Sequence, residues 1–196
     1  MEKSASLWER SRQAAVAEIV ETALALFEEQ GYEATTMAQV ASKAGVSQRS
    51  LFRYFGTKED LVCSDQDALG DLLVNAVASQ PAEMSAWDAL RAGFTTMLTA
   101  SNHSPQRVLE ISGLIFANPP LRSRYFEKRL RWQRALVPAI EQRMGIDSGD
   151  IPDARAMGVI ATVFACVDAA TELWVLHGGK ADAFELYEQA LAAVRD

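Results

Sequence analysis

Between residues 36 and 55 the chain has room for only two short helices and a turn. Thr36-Met37-Ala38-Gln39 has the form of a capping box, in which a hydroxyl and an amide side chain each satisfy a backbone N–H at a helix start. Met37, Val40, Ala41 and Ala44 follow at helical spacing until Gly45 breaks the run. Ser47 then caps a second segment, Gln48 to Phe55, which stops at Gly56-Thr57. Two capped helices joined through a glycine turn form a helix-turn-helix.

The rest of the chain also reads as helix, with no period-2 alternation bounded by turn residues. An opening helix over 11–30 carries Ile19, Ala23, Leu26 and Phe27 on one face and ends at Gly31. Thr57 starts one long helix with Leu61, Val62, Leu69, Leu72, Leu73 and Val77 on its apolar side. Pro81 marks a division. Beyond it, helices start at Ser85 and at Ser104-Pro105, and Asn118-Pro119-Pro120 stops the second of them. A long basic helix then runs to Met144 with Pro138 inside it as an expected kink. Two last helices, over 153–177 and 181–194, are separated by Gly178-Gly179. The expectation is an all-α protein of about nine helices. Residues 1–56 form a helix-turn-helix domain, 57–80 a connecting helix, and 81–196 a ligand-binding and dimerisation domain.

The 196 residues carry a net charge of −7, which taken alone argues against a nucleic-acid partner. The distribution says otherwise. From Ala34 to Lys58 there is no Asp or Glu, while Lys43, Arg49, Arg53 and Lys58 are all present, and acidic residues resume at Glu59 and Asp60. The N-terminal MEKSASLWERSRQ lacks an apolar core and does not read as a signal peptide. No apolar run approaches the ~20 residues of a membrane span, so a cytoplasmic protein without a membrane partner is expected. Cys63 and Cys166 read as single free thiols, and His103 and His177 are too scattered for a metal site. No cofactor is implied.

The second helix is polar at its front, Ser47-Gln48-Arg49-Ser50, where a recognition helix meets base edges in the major groove. Arg can pair bidentately with guanine and Gln with adenine. Leu51 and Phe52 stand behind as anchors to the first two helices, while Arg53 and Tyr54 can reach phosphates or base edges. Helix starts at Thr36 and Thr57 offer N–H groups to phosphate, and Lys58 adds charge there. The plain alternative is a helical bundle with a solvated basic face.

The stretch from Ile19 to Leu61 resembles the N-terminal domain of the tetracycline-repressor (TetR) family. The resemblance rests on Phe27, Gly31-Tyr32, Thr35-Thr36, Ala41, Gly45-Val46-Ser47, Leu51-Phe52-Arg53-Tyr54-Phe55 and Lys58-Glu59-Asp60-Leu61, over about 43 residues. It implies a phosphate-contacting cap at Thr36, base reading by Gln48, Arg49 and Ser50, and backbone clamping by Tyr54 and Lys58. Two positions depart from the pattern. Phe52 replaces the usual tyrosine, and Glu18 stands where many members carry a basic residue.

For the C-terminal part the resemblance is architectural. It implies a helical ligand pocket and a homodimer formed by the last two helices as a four-helix bundle. Val159, Val163, Val167 and Trp174, with Phe184, Tyr187, Leu191 and Val194, supply apolar faces there, although such stripes are more often core. Pocket candidates are Trp87, Phe94, Met97, Ile111, Ile115, Phe126, Leu130 and Phe164, with Asp168 able to orient a polar ligand group or to sit at an edge. Arg122, Arg124, Lys128, Arg129, Arg131 and Arg134 crowd one segment opposed only by Glu127. They are either solvated and paired or a seat for an anionic ligand such as a fatty acyl-CoA.

Three functions compete. The first is a regulator, by default a repressor, that holds a palindromic operator as a homodimer and is released by an apolar or amphipathic small molecule. The second is an enzyme, against which stands the lack of a Ser/His/Asp set, metal cluster, phosphate-cradling glycine loop or paired carboxylates. The third is a helical adaptor without DNA binding, against which the intact Gln48-Arg49-Ser50 front argues.

Overall fold

The computed structural model describes residues 7–100 and 104–195; for residues 7–10 and 13 only the backbone is described. His103 and the start of the N-terminal stretch lie outside the described residues. Every regular element among the described residues is a helix: α1 (Leu7–Gln30), α2 (Met37–Lys43), α3 (Gln48–Tyr54), α4 (Lys58–Val62), α5 (Gln66–Ala78), α6 (Ala86–Thr99), α7 (Pro105–Ala117), α8 (Pro119–Arg143), α9 (Ala154–Leu176) and α10 (Ala183–Arg195). The fold is all-α, as the sequence predicts, with ten helices rather than nine. The extra one comes from the connecting segment. Where one helix is expected from Thr57 onward, the chain turns over Cys63–Asp65 and divides it into α4 and α5. Cys63 and Asp65 cap the two pieces, and neither Gly nor Pro marks the break. The chain separates into two compact units at this turn, residues 1–64 and 65–196.

In the first unit α1 packs against α2 and α4, and α2 against α3. Gly31 ends α1 at φ +89°, a conformation that side chains with a Cβ resist, and its N–H returns to Phe27 O at 2.9 Å. Ile19, Ala23, Leu26 and Phe27 are buried, as their one-face spacing predicts, together with Val40, Ala41, Leu51, Phe55, Leu61 and Val62.

In the second unit α5 lies on α6 and α8, while α9 packs against α6, α7, α8 and α10. The core gathers Leu73, Val77, Leu90, Phe94, Trp132, Leu136, Ile140, Ile160, Val163, Phe164, Tyr187 and Leu191. Two glycines allow close approach: a Cβ on Gly70 would come 2.3 Å from Trp132 Nε1, and one on Gly93 2.4 Å from Val77 Cγ2. Arg143, in the last turn of α8, donates to the carbonyls of Val77, Gln80 and Pro81 at 2.8, 2.9 and 2.8 Å, so it closes the C-terminal end of α5.

Helix α9 corrects one expectation. It is 23 residues long and, by length and composition, apolar enough to cross a bilayer. Alanines and valines carry that character across Asp168 and Glu172, the interruptions that made the run read as short. Asp168 is ion-paired to α8 at Arg129, and the helix is packed on four others.

Candidate functional site

The front of α3 is built on interlocking caps. Ser47 Oγ accepts the Ser50 N–H at 3.1 Å and donates to Ser50 Oγ at 3.0 Å. At α2 the predicted capping box is present: Thr36 Oγ1 accepts the Gln39 N–H at 3.3 Å, and Gln39 Oε1 accepts the Thr36 N–H at 2.8 Å. These bonds fix the entry angles of both helices. They also occupy the Thr36 hydroxyl, whose proton goes to Gln39 Oε1 at 3.0 Å.

Gln48, Arg49 and Arg53 are exposed, Ser50 and Tyr54 are half-buried, and Leu51 is fully buried. The guanidinium of Arg53 lies 5.6 Å from the Tyr54 ring. Leu51 anchors α3, as expected. Phe52 does not. It is 50% exposed, and at three and four residues beyond Arg49 and Gln48 it shares their face. The sequence reading treats Leu51 and Phe52 as one anchor, but adjacent helical residues point about 100° apart, so only one of them can face inward.

Lys58 is half-buried and inwardly engaged. Its ammonium donates to Tyr32 O at 2.8 Å and Thr35 O at 3.0 Å, and lies 4.0 Å from the Tyr32 ring centroid. Beside it the Tyr32 hydroxyl donates to Glu59 Oε1. Burial alone would push the Glu59 carboxyl upward. The Tyr32 hydroxyl, its own backbone, the Thr57 hydroxyl and Lys58 together hold it below its ordinary value. Thr35 is buried and donates to Gly31 O at 2.8 Å. Tyr32, Lys58 and Glu59 thus clasp the α1–α2 turn to α4. Sequence reasoning lists Tyr32 and Glu59 as pattern positions without a task, because nothing in helical periodicity links residues 27 apart.

The second unit sorts the pocket candidates. Phe94, Met97, Ile115 and Phe164 are buried; Trp87, Ile111 and Phe126 are half-buried; Leu130 is 52% exposed. Phe94 and Phe164 meet edge to face at 5.1 Å. Of the six crowded cations, Arg124 and Arg131 share Glu127, Lys128 reaches Asp67 Oδ2 at 3.0 Å, and Arg129 reaches Asp168 Oδ1 at 3.0 Å. The paired reading therefore holds for four of them. Arg122 lies 5.7 Å from each of the Phe116 and Phe126 rings.

Arg129 is the surprise. It is 3% exposed, although the sequence reading groups it with surface charges. The signal was available: Leu121, Tyr125, Arg129, Trp132, Leu136 and Ile140 fall on one stripe of α8 at three- and four-residue steps. Its guanidinium donates to Tyr125 Oη at 2.7 Å and to Phe164 O at 3.3 Å, with the Phe164 ring 4.6 Å away. Burial pushes the Asp168 carboxyl up, against the opposing pull of Arg129, Tyr125 and Arg122. Both cysteines are buried free thiols, and no group of three or more His, Cys, Asp or Glu suited to a metal exists among the described residues.

A capped helix-turn-helix with an exposed Gln-Arg front, followed by a larger helical unit, defines a helix-turn-helix transcriptional regulator. Residues 19–63 match the family model for bacterial regulatory proteins of the tetR family, and residues 84–196 match that of the MftR C-terminal domain. The chain belongs to the TetR family of transcriptional regulators. It is 25% identical over 166 residues to the transcriptional regulator TcmR of Streptomyces glaucescens, covering 82% of this chain and 73% of that one. Among solved structures, it superimposes on Bacillus subtilis FadR in complex with stearoyl-CoA with a TM-score of 0.56 at 21% identity, over 90% of this chain and 95% of that one. Thermus thermophilus FadR, a repressor in complex with lauroyl-CoA, gives 0.57 at 20% identity, over 90% and 91%. At such identities the structural likeness concerns the fold.

Proposed function

We propose that the protein is a ligand-responsive repressor that grips a palindromic operator as a homodimer and lets go when a small molecule fills its second unit. The observation that carries the reading is the α3 front. Gln48, Arg49 and Arg53 are exposed on a helix fixed by the Ser47 cap, inside a stretch free of acidic residues. Gln48, Arg49 and Ser50 read bases; Arg53, Tyr54 and Lys58 hold phosphates, Lys58 with the one ammonium hydrogen its two carbonyl bonds leave over, and Thr36 and Ser47 join them when their hydroxyls turn from Gln39 Oε1 and Ser50 Oγ. Release is a population shift: the ligand binds better to the arrangement whose recognition helices miss successive major grooves.

The dimer is supported by α9 and α10. Only 39% of the apolar window of α9 is buried within the chain. Met157, Leu173 and Leu176 are exposed on it, with Ala161, Ala165 and Ala169 between them, and Phe184 and Val194 are exposed on α10. Ligand access is supported by α7. Val108, Leu109, Ile111, Leu114 and Phe116 on it are only half-buried, and Ile115 is its one buried residue. A second reading, an acyl-CoA inducer, draws on the acyl-CoA complexes of the two FadR structures. The internal pairing of most of the basic run weakens it.

The deciding experiment is selection of bound sequences from a random duplex pool, repeated at higher salt. A recovered palindrome whose affinity falls with salt is the expected result. No enrichment at any salt would overturn the reading. Adding lauroyl-CoA to the recovered complex then tests the acyl-CoA arm, where loss of DNA binding is the supporting outcome.

A further inference from the structure

Lys58 and Glu59 set an ammonium and a carboxylate at adjacent positions at the start of α4, where the basic island gives way to acid. Two such charges attract each other. Yet their bonds go elsewhere. Lys58 Nζ donates to Tyr32 O at 2.8 Å and to Thr35 O at 3.0 Å, while Glu59 Oε1 accepts from the Tyr32 hydroxyl. Tyr32 thus serves both: its carbonyl and its ring, 4.0 Å from the ammonium, take the cation, and its hydroxyl takes the anion. The residue is 6% exposed, and Phe27 holds its ring edge to face at 5.2 Å.

The consequence for DNA is electrostatic. A lysine paired with its neighbour offers a phosphate a neutralised pair, and the carboxylate of that pair repels the phosphate. Here the carboxylate is drawn to a buried phenol instead. The carbonyls that hold the ammonium bear no net charge, so Lys58 keeps its own in full. Burial and the Glu59 bond keep the phenol protonated far above neutral pH, so the hydroxyl is a standing donor.

We propose that Tyr32 is a positioning residue for DNA binding: it takes the Glu59 carboxylate on its hydroxyl and the Lys58 ammonium on its carbonyl and ring face, and by keeping the two charges apart it leaves the ammonium to a phosphate. The proposal deepens the operator-binding reading above and rests on its assignment of Lys58 to phosphate. Tyr32 is buried and acts only through Lys58.

The test is a double-mutant cycle on the full chain. Affinity is measured over a salt series for the palindrome recovered by selection and for a random-sequence duplex of equal length. Lys58→Met should weaken both duplexes and lower the salt slope by about one per subunit. Tyr32→Phe keeps the ring face and the carbonyl but releases Glu59 to Lys58. It should weaken both duplexes about three- to tenfold at low salt and lower the slope toward that of Lys58→Met, since a phosphate contact carries no sequence information. In the Lys58→Met background Tyr32→Phe should cost nothing further, and in a Glu59→Gln background, with no carboxylate to release, its cost should vanish as well. Glu59→Asp is a second probe: it draws the charge back from the Tyr32 hydroxyl without removing it, and should lose slope in the same way. Circular dichroism checks that each variant is folded. A Tyr32→Phe loss of equal size with and without Lys58, a loss confined to the palindrome, or no loss at all would overturn the proposal, because the tyrosine would then serve the fold or the recognition helix. An unchanged slope in Lys58→Met overturns it too, and leaves the regulator reading standing wherever a palindrome is still selected. Selection of no duplex refutes the regulator reading itself.

Discussion

Phe52 occupies a position where one side chain changes what a recognition helix can read. With half its surface exposed beside Gln48 and Arg49, the ring can meet a thymine methyl, an apolar contact open to phenylalanine and requiring no hydroxyl. Phe52→Ala should therefore weaken the selected operator and relax preference at one thymine position, with little change in the salt slope. Arg49→Ala should cost about 1–3 kcal/mol and relax preference at a different base pair. Competition titrations against single-base operator variants separate the two. If both substitutions weaken all duplexes equally, neither residue reads sequence. In the other unit, the decisive residue is the smallest. A Cβ at Gly70 would overlap the indole of Trp132, so Gly70→Ala should destabilise the protein by about 1–3 kcal/mol in chemical denaturation. An unchanged midpoint would mean that the indole relocates freely.

At the scale of elements, the clasp between the α1–α2 turn and α4 makes a pH-dependent prediction. The folded chain holds the Glu59 carboxyl below its ordinary value, with the Tyr32 hydroxyl as donor. A depressed carboxyl contributes stability above its unfolded pKa and loses it as pH falls through the folded one. Tyr32→Phe should thus lower stability at pH 7 by about 1 kcal/mol, and the gap from the natural protein should narrow as acid protonates Glu59. A gap that is constant between pH 7 and pH 3 would show that the hydroxyl does not support the carboxylate. This clasp also marks where sequence reading stops. The caps at Thr36, Ser47, Thr57, Ser85 and Ser104 were legible because a cap and its partner lie three residues apart. The buried stripe of α1 was legible for the same local reason. The α4–α5 break was not, because Cys63-Ser64-Asp65 carries no glycine or proline and the apolar spacing runs on across it. Arg129 was hidden by composition: a cation among cations reads as surface, and only its place on the Leu121–Ile140 stripe tells otherwise.

At the scale of the whole molecule, reading one palindrome requires two recognition helices held at a fixed spacing, and so a dimer. Of the apolar faces that the sequence picks out, Val163, Val167, Trp174, Tyr187 and Leu191 are buried inside the chain and are core, Val159 is half-buried, and Phe184 and Val194 are exposed. The outward face of α9 is instead Met157, Ala161, Ala165, Ala169 and Leu173, at steps of four. Small residues between larger ends let two helices approach closely along such a line, and Phe184 and Val194 of α10 widen the uncovered surface. Ala165→Glu places a charge in the middle of that line without touching the core, because Ala165 is exposed in the single chain. The substituted protein should keep its helical content, sediment as a monomer, and lose most of its affinity for the full palindrome while binding half-sites weakly. Glu172, already exposed at one end of this face, is the control: Glu172→Gln should leave the assembly intact. A variant at Ala165 that remains dimeric would move the interface elsewhere on the molecule, and one that is monomeric yet grips the palindrome unchanged would mean that the protein reads DNA as single chains.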